Sequence, residues 1–116
     1  MAGIVQIPWY ATLFRGDKFE VALEHIAPVA LRYGATDYRV YRNRDDRYKF
    51  TQMATFEDKL DFERYWYGEE FSAWRTDFSS WFQVPIVYTW SDLVLVGGIG
   101  GQPTSVTGAP AEGDTI

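Results

Sequence analysis

Apolar residues along this chain recur at two spacings. The opening stretch IVQIPWYATLF, residues 4–14, is rich in β-branched and aromatic side chains and predicts a strand. Pro8 interrupts it, so either a bulge sits there or regular pairing starts at Trp9. Alternation places Trp9 on one face with Ile7, Ala11 and Leu13, the expected helix side. After Arg15-Gly16, Asp17 and Glu20 offer a helix start in which Asp17 accepts free backbone N–H groups. Phe19, Ala22, Leu23, Ile26, Ala30 and Tyr33 then follow at helical spacing; Pro28 is expected to kink this helix and Gly34 to end it.

Two further strands are predicted at 36–43 and 47–56, joined by a turn at Arg44-Asp45-Asp46. Thr55 and Asp58 suggest a cap for a second helix, and Gly68 a break in it, with Glu69-Glu70 opening a new segment. A stripe through Phe56, Leu60, Tyr67, Phe71, Trp74 and Phe78 is read as core, with Phe62, Tyr65 and Trp66 off it and free to line a pocket or a subunit contact. A last strand is predicted over 84–97. The order β-α-β-β-α-β gives an α+β, ferredoxin-like plait over residues 1–96 with both helices on one sheet face. From Gly97 to Ile116 the chain is rich in Gly, Pro, Ser and Thr and reads as a flexible tail.

Composition narrows the function classes. The 116 residues carry 18% aromatics, including five Trp, eight Tyr and eight Phe. That is more ring surface than one small interior readily hides, which favours a partner subunit or a sheltered ligand. A net charge of −5 argues against a general nucleic-acid binder. The third strand, Arg47-Tyr-Lys-Phe-Thr-Gln-Met, also lacks the Gly and second aromatic of the RNA-reading plaits. No apolar run approaches the ~20 residues of a membrane span, and no secretory leader is evident. With no cysteine, thiolate chemistry is excluded and a cytoplasmic setting fits. One histidine and no cysteine leave no usual zinc ligand set. His25 itself lies about 120° from the centre of the apolar helix face, as a surface or subunit-contact residue would.

The stretch KFTQMATFEDKLDFERYWYGEEFSAW, residues 49–74, resembles the antibiotic biosynthesis monooxygenase-like, dimeric α+β barrel superfamily. The likeness rests on a strand ending in Phe56, an acidic helix start, and the closing Phe71-x-x-Trp74. It implies a homodimer in which two plaits pack their sheets together, each keeping a hydrophobic pocket between sheet and helices. It also implies a small hydrophobic or aromatic ligand, with cofactor-independent oxygenation, polyketide cyclisation or isomerisation as reaction classes. This chain departs from the family where many members carry histidines, with Tyr65 and Glu70 standing there instead. Ala54 and Phe56 replace a frequent Glu and Trp, and Trp9 aligns with the Asn of haem-degrading relatives, whose ligating His is also missing.

Tyr65 and Glu70 are therefore the candidate acid/base pair, needing no metal or cofactor. Trp9, Gln52, Phe56, Phe62, Trp66, Tyr88 and Trp90 are the candidate ligand-lining set. The competing class is a non-catalytic dimer that binds or builds. An interior sealed by Trp66 and Phe71 fits the inert dimer; an open cavity faced by Tyr65 or Glu70 fits an enzyme.

Overall fold

The computed structural model describes residues 2–100 and the backbone of 104–105. Strand β1 spans Gly3–Tyr10 and helix α1 Gly16–Ile26, followed by a 3₁₀ turn at Pro28–Tyr33. Then come β2 (Ala35–Arg42), β3 (Lys49–Phe56), α2 (Lys59–Tyr67), α3 (Glu69–Asp77) and β4 (Thr89–Asp92). The sheet order is β2-β3-β1-β4, antiparallel throughout. This is the predicted α+β, ferredoxin-like plait, its helices packed on one face of the sheet.

Several local expectations change. Strand β1 stops at Tyr10, with only an isolated bridge from Ala11 to Phe82 beyond it. Leu13 and Phe14 instead sit exposed in a turn. Pro8 causes no bulge, because its register to Thr51 is unbroken. Strand β4 pairs only with Gly3–Gln6, so Pro8 lies where β1 has already become an edge, and there a missing N–H is tolerated. Helix α1 ends outright before Pro28 instead of kinking, since Pro supplies no N–H to continue the ladder. Its first residues have no side-chain cap; Asp17 and Glu20 turn to Arg42 Nη1 at 2.8 and 3.1 Å. Asp58, not Thr55, caps α2, accepting the Leu60 N–H at 3.0 Å. The Thr55 hydroxyl donates to Asp37 on the neighbouring strand.

Gly68 does break the second helical region, and the break changes its phase. The buried residues of α2 are Phe62, Tyr65 and Trp66, while Leu60 and Tyr67 are 50% and 64% exposed. A single stripe drawn from Phe56 to Phe78 thus joins two helices that present different faces. Phe71 and Trp74 are the buried face of α3. A Cβ at Gly68 would lie 2.3 Å from the Arg64 carbonyl oxygen, so the junction closes only around a glycine.

The final strand is shorter than predicted, since residues 84–88 take no regular structure. Its Trp90 ring lies directly over Gly3, where an added Cβ would overlap the indole at 2.1 Å. Beyond it, β5 (Leu95–Val96) pairs with β6 (Thr104–Ser105), so a short ribbon crosses the boundary expected at Gly97. The rest of the expected tail, 101–103 and 106–116, lies outside the described residues. No helix among the described residues is long and apolar enough to cross a membrane.

Candidate functional site

The space between sheet and helices is where the strands and helices send most of their rings. Alternation aims Val5, Ile7, Trp9 and Ala11 inward from the first strand, and Phe50, Gln52, Ala54 and Phe56 from the third. Trp9 sits at the centre, buried to 1% exposure. Its ring meets Phe19, Trp74 and Phe82 edge-on at 5.6, 5.4 and 5.0 Å, and Trp66 and Phe71 at 6.2 and 6.3 Å. Edge and offset geometries of this kind suit the ring quadrupole and fill volume without gaps.

A polar thread runs through this apolar layer. Trp9 Nε1 donates to Gln52 Oε1 at 3.0 Å, and Gln52 Nε2 donates to the Tyr65 hydroxyl oxygen at 3.0 Å. The Tyr65 hydroxyl in turn donates to the Ile26 carbonyl at 2.6 Å. That carbonyl lies at the end of α1, where helix carbonyls lose their intrahelical donors, so Tyr65 supplies a partner the backbone needs. Trp74 Nε1 donates to a second carbonyl of α1, that of Ala22, at 2.9 Å. Burial raises the Tyr65 pKa well above the ordinary 10.0; the Gln52 hydrogen bond opposes this and the Glu70 carboxylate adds to it. At neutral pH Tyr65 is a neutral phenol whose proton is committed to a backbone oxygen.

The candidate residues thus divide. Trp9, Gln52 and Tyr65 are joined by hydrogen bonds, and Phe56, Phe62 and Trp66 pack in the same core. Phe56 and Phe62 are 0% exposed and meet edge-on at 5.7 Å. Tyr88 and Trp90 face the helix side and cover this core from the edge, Tyr88 meeting Phe62 at 4.8 Å and Trp66 at 5.7 Å. Glu70 stands apart, its carboxylate at the surface in a 2.7 Å ion pair with Arg32. Tyr65 and Glu70 therefore do not face a common space. Trp66 and Phe71 close on each other edge-on at 4.9 Å, sealing the interior.

Two features had no place in the sequence reading. Arg75 lays its guanidinium on the Trp66 ring, 4.0 Å from its centroid, and 4.9 Å from that of Phe71. The available signal was spacing alone, because Arg75 follows Phe71 by one helical turn. Arg42 ties the start of α1 to the β2–β3 hairpin, bonding the Arg47 carbonyl as well as both acids. His25 lines a shallow apolar groove of about 320 Å³ with Val21, Phe78 and Trp81. Among the described residues no group of three His, Asp or Glu is placed to hold a metal ion.

The opposite sheet face carries no helix among the described residues. Ile4, Gln6, Pro8 and Tyr10 point there, beside Thr51 and Met53 and, across the next pairing, Arg39 and Tyr41.

No family model and no curated protein matches this chain by sequence. Solved structures do match its fold. SnoaB from Streptomyces nogalater, described as a cofactor-independent oxygenase, superposes with a TM-score of 0.70 at 14% identity, covering 86% of this chain and 98% of that one. A Nitrosomonas europaea protein provisionally assigned as an antibiotic biosynthesis monooxygenase gives 0.69 at 14% identity, over 85% and 91% of the two chains. One from Bordetella bronchiseptica with the same provisional description gives 0.68 at 17% identity, over 79% and 97%.

Proposed function

With the fold of the antibiotic biosynthesis monooxygenase-like proteins as premise, we propose that this chain is a homodimeric binder of a small hydrophobic, aromatic molecule. The observation that carries this reading is the ring layer between sheet and helices, which ends at an edge covered by Tyr88 and Trp90. The segment 84–88 that brings Tyr88 there pairs with no strand. Withdrawal of Tyr88 from Phe62 and Trp66 would open a slot walled by aromatic faces, suited to a flat guest. Trp9, Gln52 and Phe56 would form its floor. The bare sheet face, with Ile4, Pro8, Met53 and Tyr41, supports pairing of two copies sheet to sheet. The lack of cysteine is in keeping with a cytoplasmic setting.

The closed packing of Trp66 on Phe71 and the committed Tyr65 proton favour binding without chemistry. A second reading, cofactor-independent oxygenation, is favoured by the description attached to SnoaB. In that reading the hydroxylated guest gives its proton to water, its anion passes one electron to dioxygen, and the guest radical and superoxide so formed combine; the Tyr65 hydroxyl must first leave the Ile26 carbonyl to hydrogen-bond the guest.

The test is a fluorescence titration of the purified protein with hydroxylated polycyclic aromatics, run beside an oxygen electrode. Saturable quenching that Trp66→Phe and Tyr88→Ala alter, without oxygen uptake, supports the binder. Uptake abolished by Tyr65→Phe supports the oxygenase, and no quenching by any guest sinks both. Sedimentation of wild type against Met53→Lys tests the dimer; a wild-type monomer removes it.

A further inference from the structure

Ser72, Arg75 and Thr76 of α3 lie beside Ser79 in the turn that follows it, and the chain then returns past them through Phe82 and Val84. Together these six line a cleft of about 480 Å³, within the size range of small-molecule sites. Arg75 is the charged group in it, and it has no acid. No carboxylate lies within ion-pair distance of its guanidinium among the described residues. Its one side-chain acceptor among the described residues is Ser72 Oγ, at a long 3.4 Å from Nη2. Nη1 is buried against the rings and is the one buried side-chain nitrogen or oxygen among the described residues without a hydrogen-bond partner.

The contrast with Arg42 is instructive. The Arg42 side chain is also largely enclosed, at 13% exposure, but two carboxylates and a backbone carbonyl satisfy it. Around Arg75, among the described residues, the rings of Trp66 and Phe71 stand where Arg42 has carboxylates. Burial lowers its pKa, opposed by the phenols of Tyr67 and Tyr65. A half-buried cation without a counter-charge is unfavourable by itself and becomes favourable when an anion arrives.

We infer that this cleft binds the carboxylate of a small aromatic acid. The carboxylate pairs with the Arg75 guanidinium, the exposed Ser79 hydroxyl is placed to donate a further bond, and the ring lies against Phe82 and Val84. One negative charge fits better than a phosphate, for two reasons. The cleft holds a single cation, and it sits toward the C-terminal end of α3, where the helix dipole disfavours added negative charge. The site stands on Arg75 and this cleft alone and does not require the interior to open.

Isothermal titration of the full chain with 1-naphthoate, and with the uncharged 1-naphthamide, tests it. Expected are saturable naphthoate binding, at least tenfold weaker binding of the amide, and loss of the difference in Arg75→Gln. Arg75→Lys should fall between, since it keeps the charge but loses the planar fork. Should Arg75→Gln fail to fold, Ser79→Asp decides, because it places a like charge at the mouth without touching the core. Naphthoate binding unchanged by Ser79→Asp, equal affinity for acid and amide, or no binding to the folded wild type overturns the inference.

Discussion

The same eight residues of β1 build two unlike surfaces. On the helix side Val5, Ile7 and Trp9 are shut into the core, and the indole N–H that Trp9 carries inward is met by Gln52, which is in turn met by Tyr65. On the other side Gln6, Pro8 and Tyr10 are exposed and Ile4 half-buried, with no helix over them among the described residues. Period-two alternation makes this division possible. It concentrates the fold's stability on one side and leaves the other free to meet a partner. What a substitution does should therefore depend on the parity of its position more than on its chemistry.

The sharpest way to break that contrast is to truncate one side chain on each face of the sheet. Trp9→Ala should cost about 3–5 kcal/mol in urea unfolding, whereas Met53→Ala on the bare face should cost under ~1 kcal/mol. Comparable losses would show that the bare face is not bare in solution. Next in size is Gln52→Leu, which keeps bulk but strands the Trp9 N–H; a loss of about 1–3 kcal/mol is expected by the same measurement.

Alkaline titration gives a smaller, pH-resolved effect. Tyr65 has a folded pKa raised above its unfolded 10.0, so above that pH the unfolded chain releases a proton that the folded chain retains. Stability then falls as pH rises past 10, by up to about 1.4 kcal/mol per pH unit for one group. Tyr65→Phe should start less stable and show a shallower decline; an unchanged slope would free Tyr65 from its buried role. The smallest effect belongs to Glu70→Gln. Its pair with Arg32 is solvent-exposed, so thermal unfolding should register only about 0–1 kcal/mol, less at high salt.

Element order, the two helix starts after Gly16 and Phe56, and the inward facing of Trp9, Gln52 and Phe56 were legible because strand and helix periods differ. The Gly68 break was legible too, but not its rotation. Periodicity counts positions along one axis, and two helices meeting at a corner have two, so Leu60 and Tyr67 were assigned to the core stripe and Phe62, Tyr65 and Trp66 to a pocket or subunit contact beside it, whereas the latter three are core. The Tyr65 thread was hidden for another reason. Its final acceptor is the Ile26 carbonyl, which has no sequence signature, 39 residues away. Glu70 was paired with Tyr65 because both stand where the resembled family often has histidines, yet Arg32, 38 residues distant, holds it. Arg75 was unreadable because its significance is the absence of an acid nearby, a property of space and not of order.

Gly3 gives the edge strand a single keyhole. Strand β4 is four residues long and leans on one indole, which lies flat where any other side chain at position 3 would stand. Gly3→Val would evict Trp90, peel β4 away and bare the hydrogen-bonding rim of β1 to strands from other molecules. The damage would then be seen first as precipitation, well before loss of helix, so that one hydrogen atom's worth of space in this protein guards its solubility.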